Sequence, residues 1–264
     1  KFNLISTLEK EITFRFLKAR KKDGFLNVIS IFSFIGISLG VAVLIIVMSV
    51  MNGFRTELIN KIVGFNSHIT VKFYDNEKNN KKLNNKKLKN ISKSVIFSNS
   101  GEAIILKNNT SKGIVLRGYL NDDFSNLEII NNKDFKGNSS LFDKNSISIG
   151  SELSFSLDVK IGDELTLLSP SGVQTIIGSM PKQKTFIVTS IFKSGLAEFD
   201  NNIALINLNT LENFFDFNKN ERNLEIYLND PVNIENQKSI VQQVFDDEYV
   251  FSWADVNSSL FSAL

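Results

Sequence analysis

The 264-residue chain has no cysteine, one histidine (His68) and three prolines. Without cysteine there are no disulfides and no thiolate-held zinc, and the redox compartment leaves no mark on the sequence. One histidine cannot supply a histidine-rich metal site or a Ser-His-Asp triad built elsewhere in the chain. The phosphate-cradling pattern G-x-x-x-x-G-K-[ST] is missing, as are H-E-x-x-H and G-x-S-x-G. The acidic pairs Asp122-Asp123 and Asp246-Asp247 stand apart from other chemistry and read as solvated. No catalytic residue, metal site or cofactor is therefore assigned. Charge of one sign is also lacking. Thirty basic residues face 28 acidic ones, for a net charge of +2, which argues neither for nor against a polyanionic partner. Asp75–Lys93 is rich in Asn and Lys, but no arginine or aromatic is interleaved with the lysines. It reads as a solvated loop or helix face, not a nucleic-acid patch.

What the chain does have is one long uncharged run, from Gly24 to Phe54. Its centre, Val28–Met51, is VISIFSFIGISLGVAVLIIVMSVM, in which fifteen of 24 residues are Leu, Ile, Val or Phe. As a helix, 24 residues extend about 36 Å against a bilayer core of about 30 Å, so the segment spans with some tilt. A buried helix of a soluble core is the competing reading, but such helices rarely stay uncharged on every face for so long. A secretory signal is another. Its apolar region would be shorter and end in small residues, whereas this run closes on Met-Asn-Gly-Phe. Before the run, Leu4, Leu8, Ile12 and Phe16 recur at helical spacing among charges, predicting an amphipathic helix on a membrane surface. Arg15, Lys18, Arg20, Lys21 and Lys22 form a basic cluster beside the span, which places this end in the cytoplasm and the remainder outside it. Gly36 and Gly40 form a G-x-x-x-G pair, repeated by Ser38 and Ala42, that would let a second helix approach closely.

Beyond the run, Phe54–Val63 continues the helical pattern as a stalk. Ser67–Tyr74 then alternates as a strand, with Ile69, Val71 and Phe73 on one side and His68 on the solvated side. Strands are expected at Ala103–Lys107 and Gly113–Tyr119, and Asn121–Ile130 is helical or irregular. Ser146–Ser169 reads as strand, short helix, turn and strand. Thr185–Phe192, Ala204–Ile206, Leu224–Leu228 and Tyr249–Ser252 are further strands. Helices are expected after an Asn207 or Asn209 cap, with Leu211, Phe214 and Phe215 inward, then at Asn233–Phe245 and from Asp255 onward. Interspersed strands and helices with hairpins indicate a mixed α+β domain rather than a Rossmann sheet.

One soluble stretch stands out. Ser169–Lys184, SPSGVQTIIGSMPKQK, is bracketed by Pro170 and Pro181 and lies between strands ending near Leu168 and restarting at Thr185. It reads as an extended hairpin or projecting loop. It nevertheless carries Val173, Ile176, Ile177 and Met180, and apolar residues on a projection mark a partner-binding surface unless the loop folds back to bury them.

With those residues in view, the chain resembles the lipoprotein-releasing ABC-transporter permeases, the LolC and LolE family. IGISLGVAVLIIVMSVMNGFRTEL at Ile35–Leu58 is similar to their first transmembrane region. IGSELSFSLDVKIGDELTL at Ile149–Leu167 is similar to a recurrent motif of their periplasmic domains, and it is shared with related efflux and signalling permeases. Trp253–Leu264, WADVNSSLFSAL, resembles the segment before their second span. The fold this implies is membrane-anchored α+β: one transmembrane helix followed by a mixed α+β periplasmic domain, a MacB-like periplasmic core. The expected organisation is a cytoplasmic amphipathic arm over 1–24, transmembrane helix 1 over 25–54, a stalk over 55–65 and a periplasmic domain over 66–255 with the projecting loop at 169–184. Residues 256–264 would begin a stalk into a second span, making this chain the N-terminal part of a longer permease.

The resemblance also implies roles. The protein would sit in the bacterial inner membrane as a non-enzymatic subunit, with ATP hydrolysis in a separate cytoplasmic ABC ATPase (LolD-like). A second permease copy or paralogue (LolE-like) would pack against the span through Gly36 and Gly40. Val43, Val47, Met48 and Met51 would line a cavity for the lipoprotein substrate. The 170–181 segment is similar to the hook by which LolC-type subunits hold a periplasmic lipoprotein carrier (LolA-like). That gives Pro170, Val173, Ile176, Ile177, Met180, Pro181, Gln183 and Lys184 a carrier-binding role, and no nucleic acid is expected. The family's carrier-contacting Gln and Arg fall on Gln183 and Lys184, and a further Arg falls near Thr166. Lysine keeps the charge but loses the bidentate fork. The alternative within the same architecture is a mechanotransmitting, signalling or efflux permease that moves no lipoprotein.

Overall fold

The structure is a computed structural model that describes residues 7–17, 24–73, 83, 85–108, 110–139, 143–175, 178–231 and 234–259. Of residues 7, 14, 16, 17, 24, 26, 27, 171, 173–175 and 179 it describes the backbone alone. The chain divides into two units, Lys1–Thr56 and Glu57–Leu264.

In the first unit, α1 covers Thr7–Leu17, with Leu8 and Ile12 exposed. Leu4, the side chain of Phe16 and the basic residues 18–22 lie outside the described residues. Helix α2 starts at Gly24 and runs without a break to Phe65. Its stretch from Val28 to Phe65 is long and apolar enough to cross a membrane, and the most apolar part of it is not buried within the chain. Phe32, Phe34, Leu44 and Met48 are all more than 60% exposed. A helix of a soluble core would have these side chains enclosed.

Among the described residues, the second unit is built on ten strands. Strand β1 is Ile69–Lys72, followed by helix α3 (Lys86–Ile91). Strands β2 (Ser92–Lys107) and β3 (Thr110–Tyr119) make a long hairpin. Next come α4 (Asn121–Asn126), β4 (Lys136–Gly137), β5 (Ser146–Gly150), α5 (Ser151–Ser156), β6 (Glu164–Thr175) and β7 (Gly178–Phe192). They are followed by α6 (Ala197–Asn202), β8 (Ile203–Asn207), α7 (Leu208–Phe215), β9 (Asn223–Leu228), α8 (Ile234–Val244), β10 (Tyr249–Ser252) and α9 (Trp253–Val256).

Six of these strands close a ring. β2 pairs β3, β3 pairs β8, β8 pairs β5, β5 pairs β7, β7 pairs β6, and β6 returns to β2. Inside it lie Ile105, Leu116, Ile147, Ile149, Leu165, Leu167, Phe186, Val188 and Ile206, all buried, with Phe214 and Phe215 of α7 packed into the same cluster. Strand β5 is buried at every residue because β7 and β8 flank it on both edges and helices cover it. The N-terminal half of β2 extends the same sheet into β9, β1 and β10, whose core is filled by Ile62 of α2, Leu88 of α3 and Val241 and Val244 of α8. The third cluster gathers Phe65, Phe124, Phe192 and Leu205.

The mixed α+β architecture is the one expected from the sequence. Three local expectations are corrected. β2 begins at Ser92, eleven residues earlier than its apolar alternation announces, because its polar N-terminal half is held by pairing with β9. Leu88, in the stretch read as solvated, is buried against α8's cluster. Asn121–Ile130 is helical and then irregular, as expected: a six-residue helix over Asn121–Asn126 is followed by a bend and turns, and the segment buries Phe124, Leu127, Ile129 and Ile130. His68 is not solvated. It is 7% exposed, and its Nδ1 accepts a hydrogen bond from the Leu228 backbone N–H at 2.7 Å. Burial lowers its pKa, so it is held as the neutral imidazole that can accept.

Glycine at two ring positions is a packing requirement. A Cβ on Gly101 would stand 2.7 Å from the Phe215 ring, and one on Gly150 would stand 2.1 Å from the Asp200 carbonyl oxygen. The first neighbour is a side chain that can shift; the second is backbone. Gly150→Ala is therefore expected to cost about 1–3 kcal/mol in urea unfolding, and more than Gly101→Ala. Equal losses would show that the β5–α6 approach is not rigid.

Candidate functional site

The projecting segment is a paired ribbon. β6 and β7 match from Glu164↔Ile187 to Ser169↔Lys182 and again from Gly172↔Pro181 to Thr175↔Gly178. The strands expected to stop near Leu168 and restart at Thr185 thus run on to the tip. Pro170 and Ser171 have no partner across the ribbon and form a bulge. Neither Pro170 nor Pro181 has an N–H to give the ladder, so hydrogen bonding is thinnest at this level. Past the bulge, among the described residues, the ribbon pairs only with itself. Gly178 closes it with φ +124°, which the missing Cβ permits. Pro170, Met180 and Pro181 are exposed. The side chain of Val173, and Ile176 and Ile177 entirely, lie outside the described residues.

At the base of the ribbon, strand alternation decides what faces outward. Leu165, Leu167, Phe186 and Val188 point into the ring. Thr166, Leu168, Gln183 and Thr185 take the other face, with Thr166 Oγ1 and Thr185 Oγ1 3.4 Å apart. Gln183 is exposed. Lys184 sits opposite Leu167 and shares its inward face. Its Nζ donates to the Lys144 carbonyl at 2.9 Å and stands 5.0 Å from the Phe186 ring centroid. Burial lowers its pKa, while nearby Asp143 opposes the shift. Gln183 and Lys184, adjacent in sequence, therefore face opposite sides of the sheet. On the outward face, a row the sequence did not single out continues from Gln183 through Leu168 to Ile104 of β2 and Gly113 of β3. The isolated glycine in a strand was the available signal.

In the apolar helix, a side chain added at Gly36 or Gly40 would meet nothing within 4 Å. Val43, Val47, Met48 and Met51 are exposed beside them. Among the described residues, nothing packs on this small-residue face.

A buried polar cluster is a second constellation that sequence reasoning missed. The Glu225 carboxylate is 8% exposed and accepts from Ser98 Oγ at 2.6 Å, Tyr227 Oη at 3.0 Å and Tyr119 Oη at 3.3 Å. Arg117 stands nearby, its Nη2 donating to Asn66 Oδ1 at 2.8 Å and its guanidinium 5.1 Å from the Phe65 ring. Burial first, then the Glu225 charge, push both phenols well above their ordinary range, so each remains a donor. These donors satisfy the carboxylate, which with Ser98 and Arg117 lines a cavity of about 510 Å³. Among the described residues no group of three or more His, Cys, Asp or Glu is placed to hold a metal.

A helix of membrane-spanning length joined to a mixed α+β sheet domain defines the class. Residues 30–244 match the model of the MacB-like periplasmic core domain, and the chain belongs to that family. It is 28% identical over 272 residues to the lipoprotein-releasing system transmembrane protein LolC of Neisseria meningitidis, covering 98% of this chain and 64% of that protein. The LolC of Buchnera aphidicola from Schizaphis graminum is 30% identical over 259 residues, covering 96% and 63%. The lipoprotein-releasing system transmembrane protein LolE of Haemophilus influenzae is 28% identical over 237 residues, covering 85% and 56%. The chain thus spans less than two thirds of the length of these relatives.

The tyrosine cluster yields a pH dependence. Folding raises both phenol pKa values, so the native state holds protons that the unfolded chain gives up near pH 10. The stabilisation is complete below that pH and is lost as pH rises through it. Urea midpoints are expected to fall between pH 8.5 and 10.5, and the fall should shrink in Tyr119→Phe/Tyr227→Phe. An identical fall in that double variant would remove the cluster as its cause.

Proposed function

We propose that this chain works within a permease subunit of an ABC transporter that draws lipoproteins from the inner membrane and passes them to a soluble periplasmic carrier. The observation that carries this reading is the near-complete coverage of the chain by its likeness to LolC of Neisseria meningitidis, which takes in the apolar helix and the sheet domain together. Residues 25–54 span the membrane, 1–24 lie on its cytoplasmic side, 55–65 form a stalk, and the domain over 66–255 stands in the periplasm with 169–184 projecting. ATP is hydrolysed by a separate cytoplasmic ATPase. Gly36 and Gly40 admit a helix of a second permease copy or paralogue, and Val43, Val47, Met48 and Met51 face the cavity that receives acyl chains.

A carrier is a physical necessity in this scheme. Each buried CH₂ contributes about 0.8 kcal/mol, so an acyl chain does not cross water unprotected. The ribbon meets the carrier through Pro170, Met180 and Pro181, together with the apolar side chains at 173, 176 and 177. Gln183 contacts it from the outward sheet face. Lys184 acts differently: turned inward, it is tied to the Lys144 carbonyl and the Phe186 ring, and its contribution is to stability.

Proteoliposomes containing the complete transporter, ATP and carrier test this. Release of lipoprotein into the carrier is expected, and deleting 170–181 should reduce carrier capture to background. ATP turnover with no lipoprotein released would instead indicate a mechanotransmitting permease. Point substitutions separate the two adjacent residues. Gln183→Ala should weaken capture several-fold with an unchanged melting temperature. Lys184→Ala, losing a cation–π contact of about 1 kcal/mol, should lower melting by about 2–4 °C and leave capture within twofold.

A further inference from the structure

We propose that the outward face of the ring carries a socket, floored by Gly113, that takes one large apolar anchor side chain of the soluble carrier protein. This rests on the reading that a carrier docks at the ribbon. Gly113 lies opposite Ile104 in the β2–β3 ladder, Ile104 lies opposite Leu168, and Leu168 lies opposite Gln183. These four residues form one continuous outward row across four strands. Gln183 is already placed in the docking surface, so the row extends that surface to β3.

At the Gly113 end the row sinks into a cavity of about 350 Å³ whose lining includes Ile104, Gly113, Val115 and Pro170, with Glu102 and Asn202 beside them. That volume is within the range of pockets that hold a small molecule or a large side chain. Ile104, on the outward face of β2, is 42% exposed. The floor exists because position 113 has no side chain, and a Cβ built there meets nothing within 4 Å. A glycine inside a strand marks a place where another group approaches the backbone closely. The backbone at Gly113 is not in the left-handed region, so glycine is not needed there for conformation. Pro170 contributes to the lining from the bulge, the level at which the ribbon is least tied. An apolar pocket with polar groups beside it, next to a projecting clasp, is the form taken by the energetic centre of a protein–protein interface. The cavity opens onto the sheet face in line with Gln183 of the docking row, which suits a side chain of the protein that docks there.

Filling the socket tests the proposal. In the complete transporter in nanodiscs, Gly113→Leu should weaken binding of lipid-free carrier at least tenfold, measured by biolayer interferometry. Its melting temperature should stay near that of the parent, because the new side chain enters open space. If the variant fails to fold, Ile104→Ser provides the second test, with a loss of at least fivefold expected. Unchanged carrier affinity in a folded Gly113→Leu, with capture still abolished by deletion of 170–181, overturns the socket and leaves the docking role intact. Unchanged affinity with slowed lipoprotein transfer also overturns it and identifies the cavity as an acyl-chain site. Failure of the parent transporter to bind carrier at all overturns the functional reading itself.

Discussion

A three-residue seam holds the sheet domain closed. Ile104–Leu106 of β2 pair with Thr166–Leu168 of β6, and this is where the six-stranded ring meets itself. The same edge of β2 is taken by β9 over Ser92–Ser98, so one strand serves both the ring and the β9–β1–β10 extension along its length. Without the seam, β6 would keep only β7, and the interior around Ile105, Leu167 and Phe186 would open to water. The seam also fixes the register of the outward face. A slip of one residue would exchange Leu167 with Leu168 and turn Gln183 into the ring. Closure and the proposed docking surface are thus one geometric fact.

Charge is handled differently inside the domain and at the ribbon. Glu212 is 5% exposed on its side chain and meets Arg222 at 2.6 Å and 2.9 Å through two guanidinium nitrogens. Glu225 is satisfied by hydroxyls. Both carboxylates are fully partnered, as burial demands, since an unpaired one would cost several kcal/mol. Along the ribbon, Lys182 is tied to Asp216 and Lys184 to a carbonyl. The exposed positions that remain, Gln183, Met180 and the prolines, carry no charge. The ribbon therefore offers shape and apolar contact more than a field, while charge enters the proposed surface at Glu102 beside the socket.

Much of this was legible in one dimension. The apolar helix is specified by a run with no charge on any face. The strand, turn and strand of Ser146–Ser169, and the inward set Leu211, Phe214 and Phe215, follow from periodicity. Asn207 caps α7 because a short amide can reach the free N–H groups of Asn209 and Thr210. Other features were not legible. The polar half of β2 has no alternation to read, since β9 supplies its hydrogen bonds from 130 residues away. His68 reads as the polar member of an alternating strand, yet it lies just before β1 and accepts a bond from Leu228. Lys184 and Gln183 look equivalent until the pleat assigns them opposite faces.

The sequence by itself determined that a helix of membrane-spanning length precedes a mixed α+β domain with a projecting, proline-bracketed ribbon. Those properties depend on local composition and on periods of 3.6 and 2, which neighbouring residues suffice to set. Only the tertiary structure decided which strands close the ring, which of two adjacent side chains faces outward, and that Gly113 leaves a hollow beside Pro170. Those outcomes depend on pairings between residues far apart in the chain, and loop closure over such distances leaves no local signature.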